Sequence, residues 1–209
     1  MKLYLSSIAI PTPDDLATLL EKPLSEVAVA LIPNAKDYLV ERARNFVIGE
    51  RVRLFESLGM KVDVVDLRDF NDALNLRAEL APYNLIWAMG GNTFVLRNAM
   101  KRSGFDFIIE DLLLTGTVYG GDSAGALVAG SSIGGINLES ADTPQFAEEV
   151  IYKGLNLVPY IIVPHSDNPE FAEVMKAVGQ RPDRGKKLIE LKDSGAVIFD
   201  GDAHRVISI

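Results

Sequence analysis

Cysteine is absent from the 209-residue chain. This excludes disulfides and thiolate catalysis and fits a reducing compartment. Histidine is scarce, with only His165 and His204, so a metal centre built from imidazole and thiolate has too few ligands. Apolar runs are short, well below the roughly 20 residues needed to cross a bilayer. The opening stretch Met1 to Asp15 breaks at Pro11 before it has the apolar length of a secretory signal. Basic residues are in deficit, 21 Lys and Arg against 29 Asp and Glu, and the formal charge of -8 repels polyphosphate. These absences predict a soluble cytoplasmic protein that has neither nucleic acid nor membrane as a partner.

Nucleotide-binding patterns are missing too. The turn Gly90-Gly91-Asn92 lacks the third glycine of a dinucleotide fingerprint, and no phosphate-loop pattern occurs. No cofactor and no metal are expected.

Hydrophobic residues make up 48% of the chain and charged residues 24%, a balance that lets one α/β domain spanning 1–209 bury a sizeable core. Leu3 to Ser7, Val27 to Ile32, Met60 to Val65 and Leu85 to Met89 read as buried parallel strands. Thr12 and Pro13 open one helix, and Asn168 and Pro169 open another that ends at Gly179. Leu39, Ala43, Phe46, Val47, Leu54 and Leu58 fall at helical spacing ahead of Gly59, the pattern of a long amphipathic helix with a C-cap glycine. The stretches KKLIEL, GAVIFDG and HRVISI read as strands joined by hairpin turns. Strand alternating with helix predicts a doubly wound, mostly parallel sheet with helices on both faces and a short antiparallel C-terminal hairpin region. In such folds the site lies beyond the carboxyl ends of the strands.

Gly121-Asp122-Ser123-Ala124-Gly125 matches G-x-S-x-G between a β-prone stretch and a helix-compatible one, the context of a nucleophile elbow. The following helix would point N–H groups at a developing oxyanion. Small residues also let a strand and helix pack closely, so the pentapeptide alone reads either way. A serine nucleophile needs a base, and histidine titrates near neutrality. His165 follows the apolar run Tyr160 to Val163, at a strand's carboxyl end like Ser123. His204 stands at a turn entering the last strand, where a solvated imidazole is expected. For the acid, Asp142 and Asp193 are both candidates, and each also suits a turn. Gly91 and Ala124 are candidate oxyanion donors, and Asn92 is either a substrate contact or a helix N-cap.

Read together, KLYLSS, ALIPNA, GGNTF, GDSAGA, GLNLVPYIIVPH and KDSGAVIFDG resemble, in order, the peptidase E family of serine peptidases, aspartyl dipeptidases with a fold like the class I glutamine amidotransferases. The resemblance implies Ser123 as nucleophile, His165 as base, Asp142 slightly ahead of Asp193 as acid, and Gly91 and Ala124 as oxyanion donors. It also implies a small peptide substrate with an N-terminal aspartate. Arg181 and Arg184 are candidates for its carboxylate, since an Arg fork reads a carboxylate bidentately, although a solvated basic loop is the plainer reading. A homo-oligomer is compatible with all of this. Two other activities fit the residues less well. One is an esterase using His204 with Asp193 or Asp167. The other is a non-catalytic binding protein, suggested by the charge of Asp122 beside the serine, which would disfavour an acidic substrate and perturb His165.

Overall fold

The computed structural model describes residues 1–133, 146–171 and 187–208. In chain order the regular elements are β1 (Lys2–Ser6), α1 (Pro13–Leu20), β2 (Ala28–Ile32), α2 (Glu41–Ser57), β3 (Lys61–Val64), α3 (Ala73–Leu80) and β4 (Leu85–Ala88). Then come α4 (Thr93–Ser103), α5 (Phe105–Leu114), β5 (Val118–Asp122), α6 (Ala124–Ala129), β6 (Ile161–Val163), β7 (Leu188–Glu190), β8 (Gly195–Asp200) and β9 (Ala203–Ser208). Seven strands form one sheet in the order β3-β2-β4-β5-β1-β8-β9. The first five are mutually parallel, and β8 and β9 are antiparallel additions. This is the mostly parallel α/β architecture with an antiparallel ending that the alternation of periods predicts.

Strand alternation sends side chains to two cores. On one face Tyr4, Val29, Leu31, Trp87 and Ile198 pack with Leu16 and Leu19 of α1 and Ile48 and Phe55 of α2. On the other, Leu3, Leu5, Ile86 and Tyr119 meet residues of α3 to α6. A strand buried on both faces loses the polar alternation of a half-exposed one, which is why β2 and β4 read as continuous apolar runs.

The sequence expectations differ from the structure in three places. β3 is an edge strand, largely exposed, with Val64 at 46%; its single ladder partner is β2. β7 does not form a hairpin with β8. It pairs in parallel with β6 in a separate two-stranded sheet, so the Lys192–Gly195 turn joins two sheets. On α2 the inward stripe is Arg44, Ile48, Arg51, Val52 and Phe55, while Phe46 is 65% exposed. Two arginines on that stripe disguise it in a hydrophobicity pattern. Both are matched by aspartates, Arg44 by Asp37 and Asp66, Arg51 by Asp122.

Thr12 does precede α1, but its hydroxyl is hydrogen-bonded to Tyr4 and makes no side-chain cap. Asn168 accepts the Glu170 N–H through its side chain; the remainder of that expected helix, to Gly179, lies outside the described residues.

Candidate active site

Four strand ends converge on one rim. β5 delivers Ser123, β4 the Gly90–Gly91 turn, β1 the pair Ser6 and Ser7, and β6 the segment carrying His165. The path from β5 into α6 is tight. A Cβ at Gly125 would stand 2.1 Å from the Ala88 carbonyl oxygen, and one at Gly121 2.5 Å from the Gly125 carbonyl carbon. Only glycine lets α6 descend this closely onto β4 and β5. Ser123 takes φ 50° and ψ -110°, a sparsely populated conformation costing about 1–3 kcal/mol that the surroundings must hold in place. Its N–H donates to the Ser6 carbonyl at 2.9 Å. The helix that follows has six residues, so it offers its first N–H groups locally and little macrodipole.

His165 Nε2 lies 3.0 Å from Ser123 Oγ, and His165 Nδ1 lies 2.6 Å from Asp193 Oδ1. An ionised carboxylate can only accept, so the proton sits on Nδ1 and the Nε2 lone pair faces the serine hydroxyl. His165 also has a left-handed backbone, φ 63°, pinned where its N–H donates to Ser7 Oγ at 3.1 Å. Asp193 is held in turn: its Oδ2 accepts from Asn168 Nδ2 at 3.2 Å, and its N–H donates to Asp167 Oδ1 at 2.8 Å. The imidazole is largely covered, 12% exposed, and the carboxylate opens to solvent at 35%.

Beside the serine, Gly91 adopts φ 149°, and a Cβ there would come within 2.4 Å of the Ala35 carbonyl oxygen. The Asn92 N–H donates to that same oxygen at 2.8 Å. A Cβ on Gly90 would lie 3.0 Å from Ser123 Cβ, so this turn packs directly on the nucleophile elbow. Among the described residues no group of three or more His, Asp or Glu side chains is placed to hold a metal ion, and no helix is long and apolar enough to cross a membrane.

The geometry agrees with what relatives of the chain are. The model of peptidase family S51 matches residues 10–207. The chain belongs to peptidase family S51. It is 31% identical over 185 residues to an uncharacterized peptidase of Listeria innocua, covering 88% of this chain and 85% of that one. It is 34% identical over 120 residues to Peptidase E of a Nostoc species, covering 57% of this chain and 46% of that one. Among solved structures it resembles a candidate peptidase E protein of Listeria monocytogenes EGD-e. That match has a TM-score of 0.83 and 26% identity, over 100% of this chain and 98% of the other. A peptidase from an acI-B1 actinobacterium shares the fold, with a TM-score of 0.76 at 17% identity, over 100% and 87% of the two chains.

In this S51 peptidase the structure brings together Ser123, His165 and Asp193; Ala124 follows the serine in the chain, and Gly91 follows the Gly90 that packs on it. Asp193 is the carboxylate in contact with His165 among the described residues; Asp142 lies outside them, as do Arg181 and Arg184. His204 is exposed on β9 against the rings of Tyr160 and Phe199, and Asp167 serves the backbone of Asp193, so the esterase arrangement is not formed. Asn92 is 1% exposed and turns its Oδ1 to the N–H groups of Phe94 and Val95 as the N-cap of α4, the structural role its place in the sequence suggests. The carboxylate of Asp122 is gripped by Arg51, which matches its charge. Arg51, Ser7 and the bond from Asn168 to Asp193 are invisible to motif reading, because each acts across elements distant in sequence.

Proposed function

We propose that the protein is a serine exopeptidase acting on small peptides in the cytoplasm, with Ser123 as nucleophile, His165 as general base and Asp193 as the acid that orients it. The observation that carries this reading is the chain of contacts Ser123 Oγ, His165 Nε2, His165 Nδ1, Asp193 Oδ1 at 3.0 and 2.6 Å. As Ser123 attacks the scissile carbonyl, His165 takes the hydroxyl proton and then passes it to the departing amine; water repeats the cycle on the acyl-enzyme. Asp193 stabilises the imidazolium that forms at each step. The N–H groups of Gly91 and Ala124 receive the oxyanion, a type of contact worth about 3 kcal/mol of barrier per donor.

Dipeptides with an N-terminal aspartate are the proposed substrates, in keeping with the peptidase E relatives, and Arg181 and Arg184 are the proposed cations for the aspartate carboxylate. Hydrolysis of Asp-Leu and Leu-Leu by the purified protein and by Ser123→Ala tests both levels. Faster cleavage of Asp-Leu is expected, and it should vanish in the variant. Equal cleavage of the two peptides would remove the aspartyl specificity. Undiminished turnover by Ser123→Ala would remove the serine mechanism.

A further inference from the structure

The residue immediately before the nucleophile is a buried carboxylate with more donors than a turn requires. Asp122 ends β5 on the face covered by α2 and is 4% exposed. Its Oδ1 accepts from Arg51 Nη1 at 2.5 Å and from Trp87 Nε1 at 2.8 Å; its Oδ2 accepts from Arg51 Nη2 at 3.1 Å and from the Gly90 N–H at 3.2 Å. Arg51 reaches this point from the middle of α2, with its own side chain 17% exposed.

Apolar side chains of similar volume can often replace a buried ion pair without loss of stability, so packing alone does not call for a charge here. A carboxylate supplies something an apolar side chain cannot. It is joined through one peptide bond to Ser123 while accepting the N–H of Gly90, the residue before the candidate oxyanion donor Gly91. Trp87, on β4 just ahead of the same turn, is tied to the other oxygen. The β4 turn and the β5 elbow are therefore locked to one group, and a Cβ on Gly90 would lie 2.8 Å from that carboxylate, leaving little slack between them. The Arg51 fork holds both oxygens and balances the charge.

We propose that Asp122, backed by Arg51, is a positioning residue that fastens the Gly90–Gly91 turn to the nucleophile elbow and so aims the Gly91 N–H at the oxyanion. This rests on the reading of Ser123 as nucleophile. Loss of an oxyanion donor costs roughly 100- to 1000-fold in rate, and a shift of about 1 Å in a positioned group costs about 100-fold. A loosened turn should therefore slow the chemical step by about tenfold to a hundredfold without weakening binding.

Labelling by a fluorophosphonate tests this independently of the peptide substrate: Ser123 Oγ bonds to phosphorus as its proton passes to His165 Nε2, fluoride leaves, and the phosphonyl oxygen occupies the oxyanion's place. The wild type, Asp122→Asn, Arg51→Lys, Arg51→Met and Ser123→Ala are compared as full chains, each checked by near-UV circular dichroism. Asp122→Asn is expected to lower the maximal labelling rate about tenfold to a hundredfold, with an unchanged half-saturating probe concentration and an unchanged pH midpoint. Arg51→Lys, which keeps the charge but not the fork, should fall between wild type and Arg51→Met. Wild-type rates in Asp122→Asn and Arg51→Met would overturn the proposal. So would a moved pH midpoint, which would mean that Asp122 acts on His165 by charge. Loss of native circular dichroism in both Asp122→Asn and Arg51→Lys would reassign the pair to folding. Adduct formation by Ser123→Ala would instead sink the nucleophile reading, whereas an unlabelled Ser123→Ala beside a fully reactive Asp122→Asn would sink this inference alone.

Discussion

Ser7 holds the backbone of His165: its hydroxyl accepts the His165 N–H at 3.1 Å and donates to the Leu191 carbonyl at 3.1 Å. The preceding residue, Ser6, accepts the Ser123 N–H through its carbonyl. The end of β1 thus holds the main chain of both the serine and the histidine. Each of those residues has a positive φ and would relax to a commoner conformation if released.

Replacement of Ser7 by alanine should accordingly leave the His165 N–H without its acceptor. Stability is expected to fall by about 1–3 kcal/mol, the usual cost of stranding a buried polar group, and kcat on a cleaved dipeptide by roughly tenfold, as expected for a displaced base. KM should change little. Urea unfolding and steady-state kinetics measure both effects, and an unchanged kcat would show that the ring contacts suffice to place His165.

Gly125→Ala tests the close descent of α6. The new methyl carbon would meet the Ala88 carbonyl oxygen at 2.1 Å, and backbone must move to relieve it. Destabilisation on the order of 3 kcal/mol or more is expected, in the range of severe overpacking, together with loss of hydrolysis. A thermal midpoint equal to that of wild type would contradict the packing described for the elbow.

Asn92→Ala separates the helix cap from a substrate contact. Removing an N-cap oxygen costs about 1 kcal/mol, so thermal stability should drop modestly, and Asn92→Asp should restore most of it. KM for a dipeptide is expected to remain near the wild-type value. A large rise in KM with unaltered stability would return Asn92 to the binding site.

Asp66 predicts an acid-sensitive corner. Burial raises its pKa, but hydrogen bonds from Arg68 and Asn34 and the charge of Arg44 outweigh that effect and hold the carboxyl well below its ordinary value of 3.8. The folded state therefore binds fewer protons than the unfolded chain. The resulting stabilisation is complete above the ordinary value and is lost as pH falls below it through the folded pKa. Between about pH 5 and about pH 2, unfolding free energy should decline more steeply for wild type than for Asp66→Asn. Parallel declines would remove Asp66 from the acid response.

Ser123 and His165 stand out as candidates in the sequence because both rest on local patterns. A strand passing through a glycine-flanked serine into a helix is written within a dozen residues, and two histidines leave a short choice of base. The strands buried on both faces were legible for the same reason, through unbroken apolar runs. The inward face of α2 was not, because Arg44 and Arg51 look like solvent-facing charges until Asp37, Asp66 and Asp122 are found opposite them.

What the chain's order of residues settled by itself was the α/β class, the elbow and the candidate base, since periodicity and turn chemistry act between near neighbours. Which carboxylate meets His165 was decided only in three dimensions. Parallel pairing of β7 with β6 carries the turn at Asp193 alongside His165, 28 positions away. The same holds for Arg51 and Asp122, 71 positions apart. A charge in a sequence has no visible partner, and only the packing of α2 across the sheet supplies one.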